Sequence, residues 1–246
     1  MTLSRFTCLS ISILIGISFS SCKKSDNKPA ETDGFENVYT NDGTLLQRIK
    51  HIHGDDDRIV RDYYKNGQLF QEIHYVNYKK HGTVKQFYED GRPYMIIPYD
   101  SGKRNGTEIK YRKDGTLAYE APYIKGKPAV GLKEYLLDGS LKTKYPSLVI
   151  TPIDRMLTDE IYTLRLSMSD GSHAVEYYEG SLTDGLYLGK DADQIYPVKK
   201  GVLNKEYYVP QGTFLMKQVS FIAKLKTPQG NYYFAKANYN LAVENR

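Results

Sequence analysis

Five glycines, Gly43, Gly67, Gly91, Gly115 and Gly139, stand 24 residues apart, and this spacing constrains the fold more than anything in the composition. Each follows an Asn or Asp (Asp42, Asn66, Asp90, Asp114, Asp138). An aromatic stands four residues before each (Tyr39, Tyr63, Phe87, Tyr111, Tyr135), and Leu45, Leu69, Pro93, Leu117 or Leu141 stands two residues after. A fixed period of this length marks a repeat architecture whose units stack on their neighbours. Asn-Gly and Asp-Gly between strand-like segments signal a hairpin closed by a type I′ turn, in which both central residues take positive φ. Around Asn66-Gly67 a two-residue loop would pair Tyr64 with Leu69, Arg61 with Glu72 and Val60 with Ile73, giving one apolar and one mixed face. The period then reads as strand, tight turn, strand, second turn.

The second turn has its own signal. Tyr75 to Gly82 recurs as Tyr99 to Gly106, and again, one residue longer, as Tyr123 to Gly131. In register, Gly82 lies opposite Tyr99 and Gly106 opposite Tyr123, so that each ring can fold over a strand position with no side chain. The pattern YYxNGxLxxExxYxxxxxxG at Tyr63 to Gly82 resembles the variant MORN repeat of bacterial proteins, and the resemblance covers Tyr39 to Leu141. It implies an elongated, twisted antiparallel sheet of stacked hairpins that serves as a scaffold or interaction surface. Some bacterial relatives are labelled antitoxin-like, a setting from which this chain departs by carrying an export signal. The unit at residues 39–62 is the most divergent, with His51 in place of the repeat tyrosine and Gly54 to Asp57 in its second turn, as suits an N-terminal cap.

Residues 1–21 read as a lipoprotein signal peptide: one positive charge in Met1 to Arg5, then an almost uncharged run from Phe6 to Phe19, then Ser20-Ser21-Cys22. The run falls short of the roughly 20 apolar residues of a transmembrane helix. Phe19 to Cys22 resembles a loose lipobox, which implies cleavage before Cys22 and attachment of diacylglycerol to it. Cys8 would be lost with the signal, so no disulfide can form, and an unpaired cysteine directly after an apolar run fits lipidation. Lys24 stands where, by the same resemblance, an Asp would retain the protein in the inner membrane, so the outer membrane is expected. Residues 22–37 are polar and contain Pro and Gly, a flexible tether.

The repeats occupy residues 38–145, and beyond them the period disappears. Residues 146–246 hold short β-type runs: Leu148 to Thr151, Ile161 to Met168, His173 to Tyr178, Gly185 to Leu188, Glu206 to Val209, Phe214 to Leu225 and Asn231 to Leu241. Thr227 to Gly230 has Pro and Gly where a turn wants them, closing a terminal hairpin. The chain is thus all-β, with 23 Tyr and no Trp, and the second part should be a β-sandwich, immunoglobulin-like or jelly-roll. Residues 38–145 hold 19 Lys+Arg against 14 Asp+Glu, whereas residues 146–246 hold 11 of each, so the array carries the positive excess. These charges alternate in sign along the hairpins, which reads first as a solvated edge.

Few residues suggest chemistry. His51, His53 and Asp55 to Asp57 have metal-ligand side chains, but His51 replaces the repeat tyrosine and acidic turns are common, so no metal is expected. Gly171-Ser172-His173 lacks a nucleophile elbow and reads as a turn. No phosphate loop, cofactor motif or nucleic-acid signature is present in the sequence. The half-polar rings of Tyr64, Tyr88 and Tyr94 form the candidate binding surface. The expectation is therefore a non-enzymatic lipoprotein, held to the membrane through Cys22, whose array binds a protein or envelope component. A glycan-binding lipoprotein and an envelope hydrolase are the alternatives.

Overall fold

The computed structural model describes residues 35–246; the signal peptide, Cys22 and most of the tether lie outside them. The first strand starts at Phe35, inside the stretch read as tether, because Phe35 packs under the Arg48 and Lys50 side chains of the next strand. The array contains β1 (Phe35–Tyr39), β2 (Leu45–His51), β3 (Arg58–Tyr63), β4 (Leu69–Val76), β5 (Lys79–Lys80), β6 (Gly82–Phe87), β7 (Pro93–Asp100), β8 (Lys103–Arg104), β9 (Gly106–Tyr111), β10 (Leu117–Ile124), β11 (Lys127–Pro128) and β12 (Lys133–Glu134). They make one antiparallel sheet in the order β1-β2-β3-β4-β6-β7-β9-β10-β11, with the two-residue strands β5 and β8 and the short β12 attached to it.

The expected register holds in the strands. Val60 pairs with Ile73 and Arg61 with Glu72, Gly82 lies opposite Tyr99, and Gly106 opposite Tyr123. The turn assignment is corrected. At Asn66-Gly67 only Gly67 has positive φ, the Gly67 amide donates to the Tyr64 carbonyl, and the Tyr64 amide donates to the Gln68 carbonyl. This is a three-residue loop ending in a left-handed glycine, with a bulge that pairs Tyr63 with Leu69. The Asn or Asp before each glycine serves as an acceptor: Asn66 Oδ1 takes the Gln68 amide at 2.9 Å, and Asp90, Asp114 and Asp138 repeat the contact. The type I′ geometry belongs to the second turns instead, where Asn77-Tyr78, Ser101-Gly102 and Lys125-Gly126 all have positive φ.

The glycine-covering role of the repeat tyrosines is also corrected. Nothing lies within 4 Å of where a Cβ on Gly82 would stand, so the Tyr99 ring does not cover it, and its positive φ explains the glycine. At Gly106 a Cβ would meet Pro98 at 2.8 Å. The rings of Tyr99 and Tyr123 instead receive the cations of Lys80 and Arg104, 5.3 and 3.8 Å from their centroids, as equivalent contacts in successive repeats.

The remaining strands are β13 (Leu148–Arg155), β14 (Ile161–Met168), β15 (Val175–Gly180), β16 (Ala192–Ile195), β17 (Leu203–Tyr208), β18 (Thr213–Lys226) and β19 (Tyr232–Asn245), with a one-turn helix α1 (Met156–Asp159) after β13. They form sheets β13-β14-β17 and β16-β15-β18-β19. Leu164, Leu166 and Leu203 of the first sheet and Tyr177, Phe221 and Leu241 of the second share one core, each 0–1 % exposed. This is an immunoglobulin-like sandwich in which the fourth strand pairs with the third instead of with the fifth, and the jelly-roll alternative falls away. Gly185 to Leu188 is not a strand: the segment folds over the sheet, placing Leu182 and Leu188 against Ile222 and Phe234, and Ala192–Ile195 takes the fourth strand position.

Array and sandwich lie within one compact unit, residues 34–246. The extra residue in the third copy of the second turn explains their junction. The Ala129 amide still donates to Pro122, as Asn105 does to Pro98, but Val130 then bulges out, donates to the Leu186 carbonyl at 2.8 Å and packs on the Leu182 cluster. Beside it Glu134, 1 % exposed, accepts the Thr227 hydroxyl, the Asn231 amide at 2.9 Å and the Lys142 ammonium at 3.1 Å. A buried carboxylate is tolerable only with such complete pairing.

Candidate interaction surfaces

Strand alternation gives the array two faces. On the first, Val60, Ile73, Val84 and Ile97 form an apolar row, continued by the buried Glu108 and by Ala121. Glu108 occupies an aliphatic position because Tyr119 and Arg104 each donate to it at 2.9 Å. Burial, then the neighbouring Glu108 charge, pushes the Tyr119 hydroxyl far above its ordinary value, so it stays a donor. Next to this row runs a polar ladder: Gln47 donates to Asp62 at 2.6 Å, Gln71 donates to Asp62 at 2.5 Å and Gln86 donates to Gln71 at 3.2 Å. With their polar groups engaged, these side chains form a fixed surface.

The opposite face carries a row that follows the pairings Arg48, Arg61, Glu72, Lys85, Ile96, Ile109, Glu120 and Lys133. Ile96 and Ile109 are half-buried at its centre, with charge on both flanks. Arg61 donates to Glu72 at 2.7 Å on one side, and Lys133 lies 3.3 Å from Glu120 on the other. The Tyr135 hydroxyl holds Glu120 below the ordinary carboxylate value despite partial burial. The sequence reading missed this row. Aligning the repeats at 24 residues exposes it, since Glu72, Ile96 and Glu120 fall in one column and Arg61, Lys85, Ile109 and Lys133 in the other.

Tyr64 and Tyr88 occupy equivalent places as clips between hairpins. The Tyr64 hydroxyl donates to the Phe87 carbonyl at 2.8 Å and that of Tyr88 to the Tyr111 carbonyl at 2.9 Å, while Arg112 reaches the Tyr135 carbonyl one repeat later. Burial, with the nearby Glu89 charge at Tyr64 and Tyr94 at Tyr88, raises both hydroxyls. Edge-to-face pairs at 5.1 Å (Tyr64 and Phe70) and 5.0 Å (Tyr88 and Tyr94) fix the rings, and Lys110 sits 5.4 Å from the Tyr94 centroid. The rings of Tyr64, Tyr88 and Tyr94 remain half-exposed, and the Tyr64 and Tyr88 hydroxyls are already committed.

The other sequence candidates are dispersed. His51 faces Glu36 and Asp55, whereas His53 and His74 share Asp57, at 3.1 and 3.0 Å, and lower its carboxyl. No group of three or more His, Cys, Asp or Glu arranged for a metal occurs among the described residues. Ser172 turns to Asp170, 2.7 Å away, in the loop joining β14 and β15.

At the junction of array and sandwich lies a cleft of about 520 Å³, lined by Lys142, Lys144, Lys226, Ser169 and the stacked Tyr145 and Tyr233, whose centroids are 4.6 Å apart.

Comparison with known families matches the MORN repeat variant at residues 59–77, 80–101 and 104–125. Each matched stretch ends on the first residue of a type I′ second turn, Asn77, Ser101 or Lys125. No curated protein matches the chain. The centre of the array thus matches three MORN variant repeats, and residues 35–58, the junction and the sandwich lie outside the match.

Proposed function

We propose that the protein is an exported lipoprotein, anchored at the outer membrane through Cys22, whose repeat array is a non-enzymatic binding surface for an envelope protein. The row centred on Ile96 and Ile109 carries this reading: an apolar centre with charged residues on both sides has the anatomy of a protein interface. The exposed sheet offers a broad platform of the kind a protein partner covers. The signal-like N-terminus supports the anchor, and no helix among the described residues is long and apolar enough to cross a membrane.

Two substitutions test the two halves separately. Cys22→Ala should move the protein from the membrane to the soluble fraction; unchanged partitioning rules out the lipid anchor. Ile109→Lys should abolish capture of a defined envelope protein by a photocrosslinker placed at Lys85, with the fold intact by circular dichroism. Capture that persists would move the interface elsewhere.

The junction cleft favours one second reading, a binder of acidic envelope glycan, because three lysines and hydroxyl groups surround an apolar floor. Titration calorimetry with acidic polysaccharide, compared between the wild-type chain and Lys226→Glu, distinguishes the two: heat lost in the variant supports the glycan.

A further inference from the structure

The third strand of the sandwich stops short of its neighbour. β15 pairs with β18 only from Val175 opposite Leu225 to Glu179 opposite Phe221, whereas β19 pairs with β18 along its whole length. Thr213–Ser220 therefore has a free backbone edge on the β15 side, with no strand paired there among the described residues. Long unpaired edges invite another strand unless charge, proline or a bulge blunts them. The free edge of β19 is blunted by outward-facing Lys236 and Glu244. By contrast, the outward residues along the β18 edge begin with Phe214 and Met216, 75 % and 74 % exposed, followed by the uncharged Gln218.

We propose that this edge joins two copies of the chain, pairing β18 antiparallel with itself about a two-fold axis through Leu215. The sequence is self-complementary in that register. Phe214 falls opposite Met216 of the partner subunit and Met216 opposite the partner's Phe214, covering both exposed side chains with sulfur–aromatic contacts. Lys217, the only charge between Thr213 and Ser220, falls opposite the partner's Thr213, so no like charges meet, and it already lies 3.7 Å from Glu179. A second copy fits better than an unrelated strand because its own side chains meet this symmetry from Thr213 to Lys217, the five positions that pair within the strand. An interface of one short strand pair lies below the roughly 1,200 Å² of standard stable complexes, so the dimer is concentration-dependent.

Light scattering on the full chain in detergent, with micelle mass subtracted, should show the protein mass rising towards twice the monomer with concentration. Met216→Lys, at an exposed position outside the core, should hold it at the monomer mass. Leu215→Cys should give a covalent dimer on mild oxidation, because facing residues on the axis are about 4.5–5.5 Å apart between Cα atoms, within disulfide reach. Thr158→Cys on α1 is the control for thiols elsewhere in the chain. A wild-type chain monomeric at its highest soluble concentration overturns the proposal. So does a dimer indifferent to Met216→Lys, one lost instead on Lys236→Glu, or equal crosslinking at positions 215 and 158.

Discussion

Val84 in the array and Phe221 in the sandwich are 2 % and 0 % exposed, but they are buried by different means. Phe221 lies between two sheets, in a core drawn from strands far apart in sequence. Val84 lies in a sheet that has no second sheet over it among the described residues; Ile73 and Ile97 flank it, and Tyr75, Met95 and Tyr99 complete the cluster. The array is therefore held by contacts between adjacent hairpins, so its stability approximates a sum of neighbour terms, whereas the sandwich should gain or lose its core as a whole. The repeats can consequently vary their outer rows without disturbing a shared interior.

The largest expected effect tests that contrast. Phe221→Ala should cost about 3–5 kcal/mol and unfold the sandwich as a unit, while Ile73→Ala should cost about 2 kcal/mol and loosen mainly its own and adjoining hairpins. Denaturant titration followed by residue-resolved hydrogen exchange would show it, and equal loss of protection throughout the molecule after Ile73→Ala would break the distinction. Next comes the junction. Glu134→Ala strands the Lys142 ammonium and the polar groups of Thr227 and Asn231, a loss of about 3 kcal/mol. It should also split unfolding into two transitions; a single transition would mean that the Val130 contacts alone couple the modules.

Acid should separate the two regions more gently. In the array, Asp42 is lowered first by the Thr40 hydroxyl, Asp57 by His74, Asp90 by Arg92, Asp114 by the Thr116 amide and Asp138 by Ser140. In the sandwich, burial pushes Asp170 and Glu176 up, and hydrogen bonds from Ser172 and Tyr178 outweigh it. A carboxyl lowered on folding binds fewer protons folded than unfolded, so its contribution is present above the unfolded value, about 4, and is lost as pH falls through the folded value. The named array carboxylates are exposed, apart from the half-buried Asp57, and the share of each is small. Turn amides of the array should therefore lose exchange protection hairpin by hairpin as pH falls below about 4, whereas the sandwich, buried as one core, should not lose it piecemeal.

What the sequence disclosed was the local part of this structure. The 24-residue period located the hairpins, and residue alternation placed Val60 opposite Ile73 and Gly82 opposite Tyr99 before any coordinates were needed. The turn types were not legible from the dipeptides, because Asn-Gly suits both a type I′ turn and a bulged loop in which Asn is an acceptor; the bulge beside Tyr63 decides between them. The junction was illegible for another reason. Glu134 meets Thr227 and Asn231 across 93 and 97 residues, and no periodicity links positions so far apart. Tyr64, Tyr88 and Tyr94 were visible as aromatic, but a hydroxyl donating to the next hairpin's carbonyl depends on a stacking distance that one repeat does not contain.

The smallest effect concerns one departure from the repeat pattern. Tyr78 holds φ +59° at the turn position where Gly102 and Gly126 stand in the next two units. A side chain in that region costs about 1–2 kcal/mol, and glycine returns about 0.5–1 kcal/mol of that through its greater freedom in the unfolded chain. Tyr78 is 65 % exposed, and its ring lies 5.9 Å from the Arg58 guanidinium, a contact worth about 0.5 kcal/mol at such a site. Strain should narrowly outweigh the contact, so Tyr78→Gly should stabilise the hairpin by up to about 0.5 kcal/mol in a denaturant titration. Destabilisation of that size would assign Tyr78 a clamping role on Arg58, making the first second turn of the matched repeats a built contact and separating it from the glycine turns that follow.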